Sequence, residues 1–346
     1  MFSRYRSSGA DLPFGDPLPY HGVAMEGYFW RFTDRSSGSV VVALCGVNRS
    51  ATGTWATVAL CSWPDGYIRE AVVPFASADP DALGAFAGRQ AASIGESFAG
   101  TDRVVHVDLG PDAQLDVQIE QHARWKRRSF GGSSIFQSVP ALNQYWHPHL
   151  LGGRATGTAQ LGGRTLHLEG AAAYAEKNWG RGGFPPAWWW GQAQGFERED
   201  VCIAFAGGVI EPGPFSLEVT ALVARVGRDV VRLGDPLVSP VRAEISNDRW
   251  QVAGRGRGWE IEVDGHAPLG AAHVLPVPLP AERRNVPGAL EHLGGTLDAE
   301  IRHRGRTVFS GRSRLAALEH GGLDRAQHEL ARRGGSAAPQ QLEVKQ

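Results

Sequence analysis

Alternation with a period of two residues constrains this chain more than any other feature. Leu115, Val117 and Ile119 alternate with Asp116, Gln118 and Glu120, and Trp259, Ile261 and Val263 alternate with Glu260, Glu262 and Asp264. Leu217, Val219 and Ala221 do the same with Glu218 and Thr220. Successive side chains of an extended strand point to opposite faces, so such runs read as strands. Val40-Val41-Val42-Ala43-Leu44 lacks the polar half of the pattern and reads as a short buried run. Asp65-Gly66, Gly162-Gly163, Asn247-Asp248 and Arg304-Gly305 separate the runs with tight-turn residues. Many short strands joined this way indicate an all-β chain of antiparallel barrels or sandwiches. Helices are few. Asp79 as cap, Pro80 at the first helical position and an alanine-rich body predict one over 79–92. A short polar helix fits 323–333, and the polar tail from Gly334 to Gln346 is expected to be loose.

With 346 residues the chain exceeds one ordinary core, so two domains are expected. A short internal echo says where they divide. Gly163-Arg164-Thr165-Leu166 opens a strand that ends near Glu176, and Gly305-Arg306-Thr307-Val308 opens one that ends near Glu319. If each closes one of two similar barrels, residues 15–182 form the first, 183–322 the second, and 323–346 a polar tail.

Charge and cysteine usage exclude several classes. The 35 basic side chains are balanced by 36 acidic ones, so no global field draws the chain to nucleic acid or an anionic membrane. The run Arg124 to Arg128 reads as a solvated strand end rather than an anion site. Cys45, Cys61 and Cys202 are scattered, without a disulfide framework, which points to a reducing compartment. The N-terminus lacks an apolar signal core, and no run is long enough to cross a bilayer. The expectation is a cytoplasmic, soluble protein, with a transient, peripheral approach to membrane to collect a lipid left open. Phosphate-loop, dinucleotide and GxSxG patterns are absent. His147 and His149 would share a strand face, with His167, Glu169 or Glu176 as further ligands, but no second spaced ligand pair accompanies them, so no metal is expected.

The chemistry concentrates between Tyr174 and Phe196. Glu176-Lys177-Asn178-Trp179 is followed, after a Gly/Pro break, by Trp188-Trp189-Trp190, and five of the 11 tryptophans lie between Trp146 and Trp190. Each tryptophan needs a large apolar slot and an acceptor for its N–H, so this density reads as an aromatic core or a large apolar pocket. If 174–179 is a strand, Tyr174, Glu176 and Asn178 share one face and Lys177 and Trp179 the other; Trp188, Trp190, Gln192 and Gln194 likewise share a face. A glutamate desolvated among tryptophans keeps its proton to higher pH and becomes a usable general acid. A bland reading stands beside each sharp one. Glu176 and Lys177 form a buried ion pair, the tryptophans fill an interface, His147 is a satisfied structural histidine, and Glu26 braces its neighbours.

The same segment resembles the tocopherol cyclase family. The shared pattern is Ala175-Glu176-Lys177-Asn178-Trp179-Gly180, then Phe184-Pro185, then Trp188-Trp189-Trp190 and Gln192. Glu26-Gly27-Tyr28-Phe29 is similar to the family's entry strand and Ala316 to Gly322 to its closing strand, so the likeness spans about residues 20–322. Ala187 and Ala193 stand where the plant members place Lys and Cys. The resemblance implies two lipocalin-like antiparallel β-barrels packed together. It also implies cofactor-independent closure of a chromanol-type ring on a prenylated hydroquinone or related terpenoid. A proton adds to the alkene, charge builds on the tertiary carbon, and the phenol attacks. On that reading Glu176 is the acid and Trp188 and Trp190 stabilise the cation. Gln192 or Asn178 bonds the aromatic hydroxyls, and Tyr145, His147 and Glu26 are candidates for phenol activation. Tyr174, Trp179, Lys177, Trp146 and Tyr28 complete the expected ligand contacts. Other chemistries on this fold are hydration and pericyclic cyclisation, and a lipocalin-like barrel also suits simple carriage of a hydrophobic ligand. A Glu176 that is ionisable inside the pocket favours catalysis, and one that is ion-paired outside it favours carriage.

Overall fold

The computed structural model describes residues 2–13, 17–88, 97–120, 122, 123, 125, 129–211 and 214–335. The first sheet contains β1 (Met25–Asp34), β2 (Ser39–Ser50), β3 (Gly53–Trp63), β4 (Ile68–Pro74), β5 (Ala76–Ala78), β6 (Ala85–Ala87), β7 (Phe98–Gly100), β8 (Val104–Asp108), β9 (Ala113–Glu120), β10 (Tyr145–Leu150), β11 (Arg154–Leu161) and β12 (Arg164–Gly180). Its order is β4-β3-β2-β1-β12-β11-β9-β8-β7-β6-β5, with β10 also on β12. The second contains β13 (Trp188–Ala193), β14 (Val201–Ile210), β15 (Leu217–Val226), β16 (Asp229–Leu233), β17 (Val241–Ile245), β18 (Arg249–Gly256), β19 (Trp259–His266), β20 (His273–Leu279), β21 (Arg284–His303) and β22 (Arg306–Gly321). Here the order is β16-β15-β14-β13-β22-β21-β19-β18-β17, with β20 also on β21. The chain passes from one sheet to the other between Gly180 and Trp188.

Each sheet curls on itself, bringing β5 and β6 back against β2 and β3 in the first and β17 against β15 in the second. The result is two lipocalin-like antiparallel β-barrels packed together. The hairpin echo has a structural counterpart: β12 lies between β1 and β11, and β22 between β13 and β21.

Period two explains how the barrels fill and how they meet. Val41, Ala43, Cys45 and Val47 of β2 join Trp30, Phe32 and Leu115 inside the first barrel. Val40 and Val42, on the opposite face, pack with Leu275, Val277, Ala289 and Leu293 of the second. Both faces of β2 are therefore buried, which is why its first half reads as an unbroken apolar run. Arg31 is fully buried in this junction. Its Nη1 donates to Thr33 Oγ1 (2.8 Å) and Gln192 Oε1 (2.9 Å), and its Nη2 to the carbonyls of Leu293 (2.9 Å) and Leu315 (2.5 Å).

The helix expected at 323–333 is present as α2 (Leu323–Arg332), after a short α1 (Phe2–Arg6). The one expected at 79–92 is not, over the described part of that range. Asp79 Oδ1 does accept the N–H groups of Asp81 (2.8 Å) and Ala82 (3.1 Å), as a cap would. The Asp79 N–H then closes onto the Gly84 carbonyl (2.9 Å), and Ala85–Ala87 extends as a strand paired with β5 and β7. Asp-capping is equally the chemistry of a tight turn, and here sheet pairing overrides alanine's helix preference. Residues 89–92, the basic run apart from Trp125, and the tail from 336 lie outside the described residues.

Candidate active site

Strand β12 organises the site. Cross-strand partners share a face, and β12 pairs Phe29 with Glu176 and Gly27 with Asn178, but Tyr28 with Lys177 and Glu26 with Trp179. One face, carrying Tyr174, Glu176 and Asn178, turns toward the second barrel; the other, carrying Lys177 and Trp179, turns into the first. On the neighbouring β10, Trp146 is paired with Asn178 and therefore joins the Glu176 side. From the second barrel β13 presents Trp188 and Trp190.

Between the barrels these faces form a largely apolar cavity of about 190 Å³, lined among others by Phe29, Tyr145, Trp146, Glu176, Asn178, Trp188 and Trp190. Trp190 packs edge-on against Phe29 (ring centroids 5.3 Å), and Trp188 stacks on Phe184 (4.8 Å). Trp188 reaches its place because Gly321, its cross-strand partner, has no side chain: a Cβ there would lie 1.7 Å from the indole. Gly27 does the same for Asn178, whose Oδ1 stands 2.3 Å from where a Cβ would be. That Oδ1 is buried and has no hydrogen-bond partner among the described residues.

Glu176 is buried and accepts three hydrogen bonds, all on Oε2: from Tyr174 Oη (2.5 Å), Trp146 Nε1 (2.8 Å) and Trp190 Nε1 (2.9 Å). Indole N–H groups only donate. With Oε2 so crowded, the proton of the neutral carboxyl belongs on Oε1, which no donor reaches among the described residues. Burial drives the pKa up, the three hydrogen bonds pull it back, and the balance is about 7. The cavity thus holds a carboxyl that exchanges its proton near neutrality.

The other expected site residues divide by face. Lys177 does not pair with Glu176. Its Nζ donates to Glu26 Oε2 (2.7 Å) and the Pro19 carbonyl (2.9 Å), meets His21 Nδ1 (2.8 Å), and lies over the Tyr28 and Trp179 rings. Glu26 also pairs with Arg49 (2.8 Å). Burial raises the Glu26 pKa, but Lys177 and Arg49 outweigh it and hold the carboxyl at about 2. Trp179 is stacked between His21 and Tyr145 and donates to the Gly9 carbonyl (2.7 Å). His147 lies on the Lys177 side against Trp125, and burial, with His149 and Lys177 nearby, pushes its pKa well down. Glu26, Lys177, Trp179 and His147, expected to meet a ligand, are placed away from the cavity lining, their side chains engaged with one another and with His21, Arg49 and Trp125. Gln192 is not among the lining residues either; its amide oxygen accepts from Arg31. Tyr145 and Tyr28 do line the cavity, with their hydroxyls committed to the carbonyls of Val139 (2.6 Å) and Pro19 (2.7 Å). Among the described residues no group of His, Cys, Asp or Glu is arranged to hold a metal.

Two lining carboxyls were not anticipated: Glu291 on β21 and Glu319 on β22. Each is an isolated acid in an apolar strand run, Ala289-Leu290-Glu291 and Ala317-Leu318-Glu319, and that mismatch was the available signal. Glu319 Oε1 accepts from Trp188 Nε1 (2.5 Å).

Comparison with known proteins agrees with this architecture. Residues 101–322 match the family model described as tocopherol cyclase-like. A protein of Oryza sativa subsp. japonica, probable tocopherol cyclase, chloroplastic, is 26% identical over 196 residues, covering 54% of this chain and 41% of its own. Tocopherol cyclase, chloroplastic, of Zea mays is 26% identical over 208 residues, covering 57% and 43%. The chain thus spans less than half the length of these curated relatives. The structure of CghA with Sch210972 shares the fold, with a TM-score of 0.58 at 12% identity over 91% of this chain and 94% of that one. No helix among the described residues is long and apolar enough to cross a membrane. The family match takes in most of the chain, including Glu176, the tryptophan run and the closing strand: this protein belongs to the tocopherol cyclase-like family.

Proposed function

We propose that the protein closes a chromanol-type ring on a prenylated hydroquinone or related terpenoid, with Glu176 as the acid. The carrying observation is the state of Glu176: buried, with its pKa raised to about 7, and, among the described residues, without a cation partner or a donor at Oε1. The neutral carboxyl delivers its Oε1 proton to the less substituted alkene carbon. Positive charge then develops on the tertiary carbon. The faces of Trp188 and Trp190 stabilise it, each by about 2 kcal/mol when water is excluded. The phenol oxygen attacks and the ring closes. The rest of the cavity supplies apolar wall that orients the chain and keeps water from the cation. Asn178 Oδ1, buried and without a partner among the described residues, suits a ring hydroxyl of the substrate.

Carriage without chemistry is the competing reading, and the placement of Glu176 favours catalysis. An uncharged polar residue would hold a hydrophobic ligand without leaving a carboxyl to be desolvated. The test is Glu176→Gln assayed on farnesyl hydroquinone and longer-chain homologues. Cyclisation is expected to fall about 10²–10⁴-fold, while quenching of tryptophan fluorescence shows that the ligand still binds. Full turnover by the folded variant would remove Glu176 as the acid.

A further inference from the structure

Ring closure creates a second proton problem. The alkene takes up a proton at one end of the reacting unit, and the phenol must lose one at the other. Glu176 serves the first step, and it is not the only carboxyl in the cavity. Glu291 and Glu319 are direct cross-strand partners on β21 and β22, and Trp190 is the partner of Glu319 on its other side. Cross-strand partners point their side chains to the same face with Cβ atoms roughly 5 Å apart. The two carboxyls are therefore neighbours, and both line the cavity that Glu176 lines.

Their surroundings separate them. Glu319 Oε1 accepts from Trp188 Nε1 (2.5 Å), a bond that favours its charged form. Glu291 has a buried Oε1 without a partner among the described residues. Two adjacent carboxyls in an apolar site do not ionise together, and the better-solvated one takes the charge. Burial and its neighbour Glu319 hold Glu291 well up, so it keeps its proton, while Glu319 is raised by burial to about 7. The charged and titratable groups that act on the pair are Glu176 from β12, Arg31 from β1 and the buried Cys61 thiol from β3, with His273 the partner of Glu291 on β20. Arg31 pulls the Glu291 pKa down, but burial and Glu319 outweigh it, and burial keeps His273 toward its neutral form.

We infer that Glu319, with Glu291 as its cross-strand neighbour, is the proton acceptor of the cavity, taking the phenolic proton as the ring closes. The inference rests on the ring-closing reading above. The step balances without a co-reactant. The Glu176 O–H bond breaks and a C–H bond forms; the phenol O–H bond breaks as its oxygen bonds the tertiary carbon; that proton goes to the Glu319 carboxylate. One proton leaves Glu176 and one arrives at Glu319, and exchange with water before the next turnover resets both. Glu319 touches the reacting hydroxyl on this view, whereas Glu291 is a positioning residue that limits the pair to one charge.

The experiment separates this inference from the role of Glu176 by using ligands that do not react. Hydrogenated farnesyl hydroquinone has no alkene to protonate, and its bis-O-methyl ether has no phenolic proton to donate. Binding of both is followed at pH 8 by tryptophan fluorescence for the native protein, Glu319→Gln and Glu176→Gln. The native protein is expected to prefer the free phenol by about tenfold, as for a hydrogen bond to a charged acceptor. Glu319→Gln narrows that preference to about twofold, and Glu176→Gln leaves most of it. In turnover of farnesyl hydroquinone, Glu319→Gln lowers kcat and abolishes the acid limb of the pH profile, because no base remains to be protonated. An unchanged phenol preference or a retained acid limb in folded Glu319→Gln overturns the inference and leaves the Glu176 reading standing. Should the glutamine variant fail to fold, Trp188→Phe supplies the same test: losing the N–H raises the Glu319 pKa, moving the acid limb to higher pH, and an unmoved limb overturns the inference.

Discussion

Glu176 carries the account at the scale of single residues, and its chemistry has a thermodynamic signature independent of any substrate. Its ordinary pKa is 4.5 and its folded pKa about 7. The folded state therefore holds this proton more tightly than the unfolded chain does. The favourable contribution is complete below pH 4.5 and declines as pH rises through that value, until it levels off above about 7. Across that window the native protein should lose up to about 3 kcal/mol relative to Glu176→Gln, read by urea unfolding of both proteins from pH 4 to 8. A constant difference across the window would mean that the Glu176 pKa is the same in the folded and unfolded states. The buried carboxyl proposed as the acid was legible in the sequence, as a glutamate inside an aromatic segment. Its hydrogen bonds were not, because Trp146 and Trp190 come from other strands and only pairing shows that they converge on one oxygen.

At the scale of elements, β12 shows what alternation can and cannot tell. Counting by two correctly separates Tyr174, Glu176 and Asn178 from Lys177 and Trp179. It does not say which face meets a ligand. A strand buried on both sides offers two candidate sites, and here the Lys177 face serves the core of the first barrel. That face predicts a stability effect. Lys177→Met leaves Glu26 buried with Arg49 as its remaining ion-pair partner and should cost about 3–5 kcal/mol, measured by chemical unfolding. A change within experimental error would show that the pair contributes nothing net. The failed helix at 79–92 teaches the same lesson from the other direction. The Asp79 cap was legible and forms its hydrogen bonds, but a cap does not distinguish a helix from a turn. What decides is the pairing of Ala85–Ala87 with strands on either side, a non-local event.

At the scale of the whole molecule, the cavity belongs to neither barrel alone. β12 and β10 supply Glu176, Asn178 and Trp146; β13, β21 and β22 supply Trp188, Trp190, Glu291 and Glu319. Arg31 bonds across the junction to Gln192, Leu293 and Leu315 and so fixes the distance between these walls. Composition and turn spacing made the all-β class legible, and the Arg-Thr echo pointed to paired hairpins. That Glu291 and Glu319 join this site was not legible, since Glu319 lies far from Glu176 in sequence. The central claim is that the cavity protonates an alkene and closes a ring without adding water. Turnover of farnesyl hydroquinone in D₂O, analysed by mass spectrometry and NMR, tests it most directly. The account predicts a chromanol isomeric with the substrate, carrying one deuterium on the carbon next to the new C–O centre, formed by the native protein and lost with Glu176→Gln. A ring-closed product without carbon-bound deuterium, or the same labelled product from folded Glu176→Gln at the native rate, would contradict it.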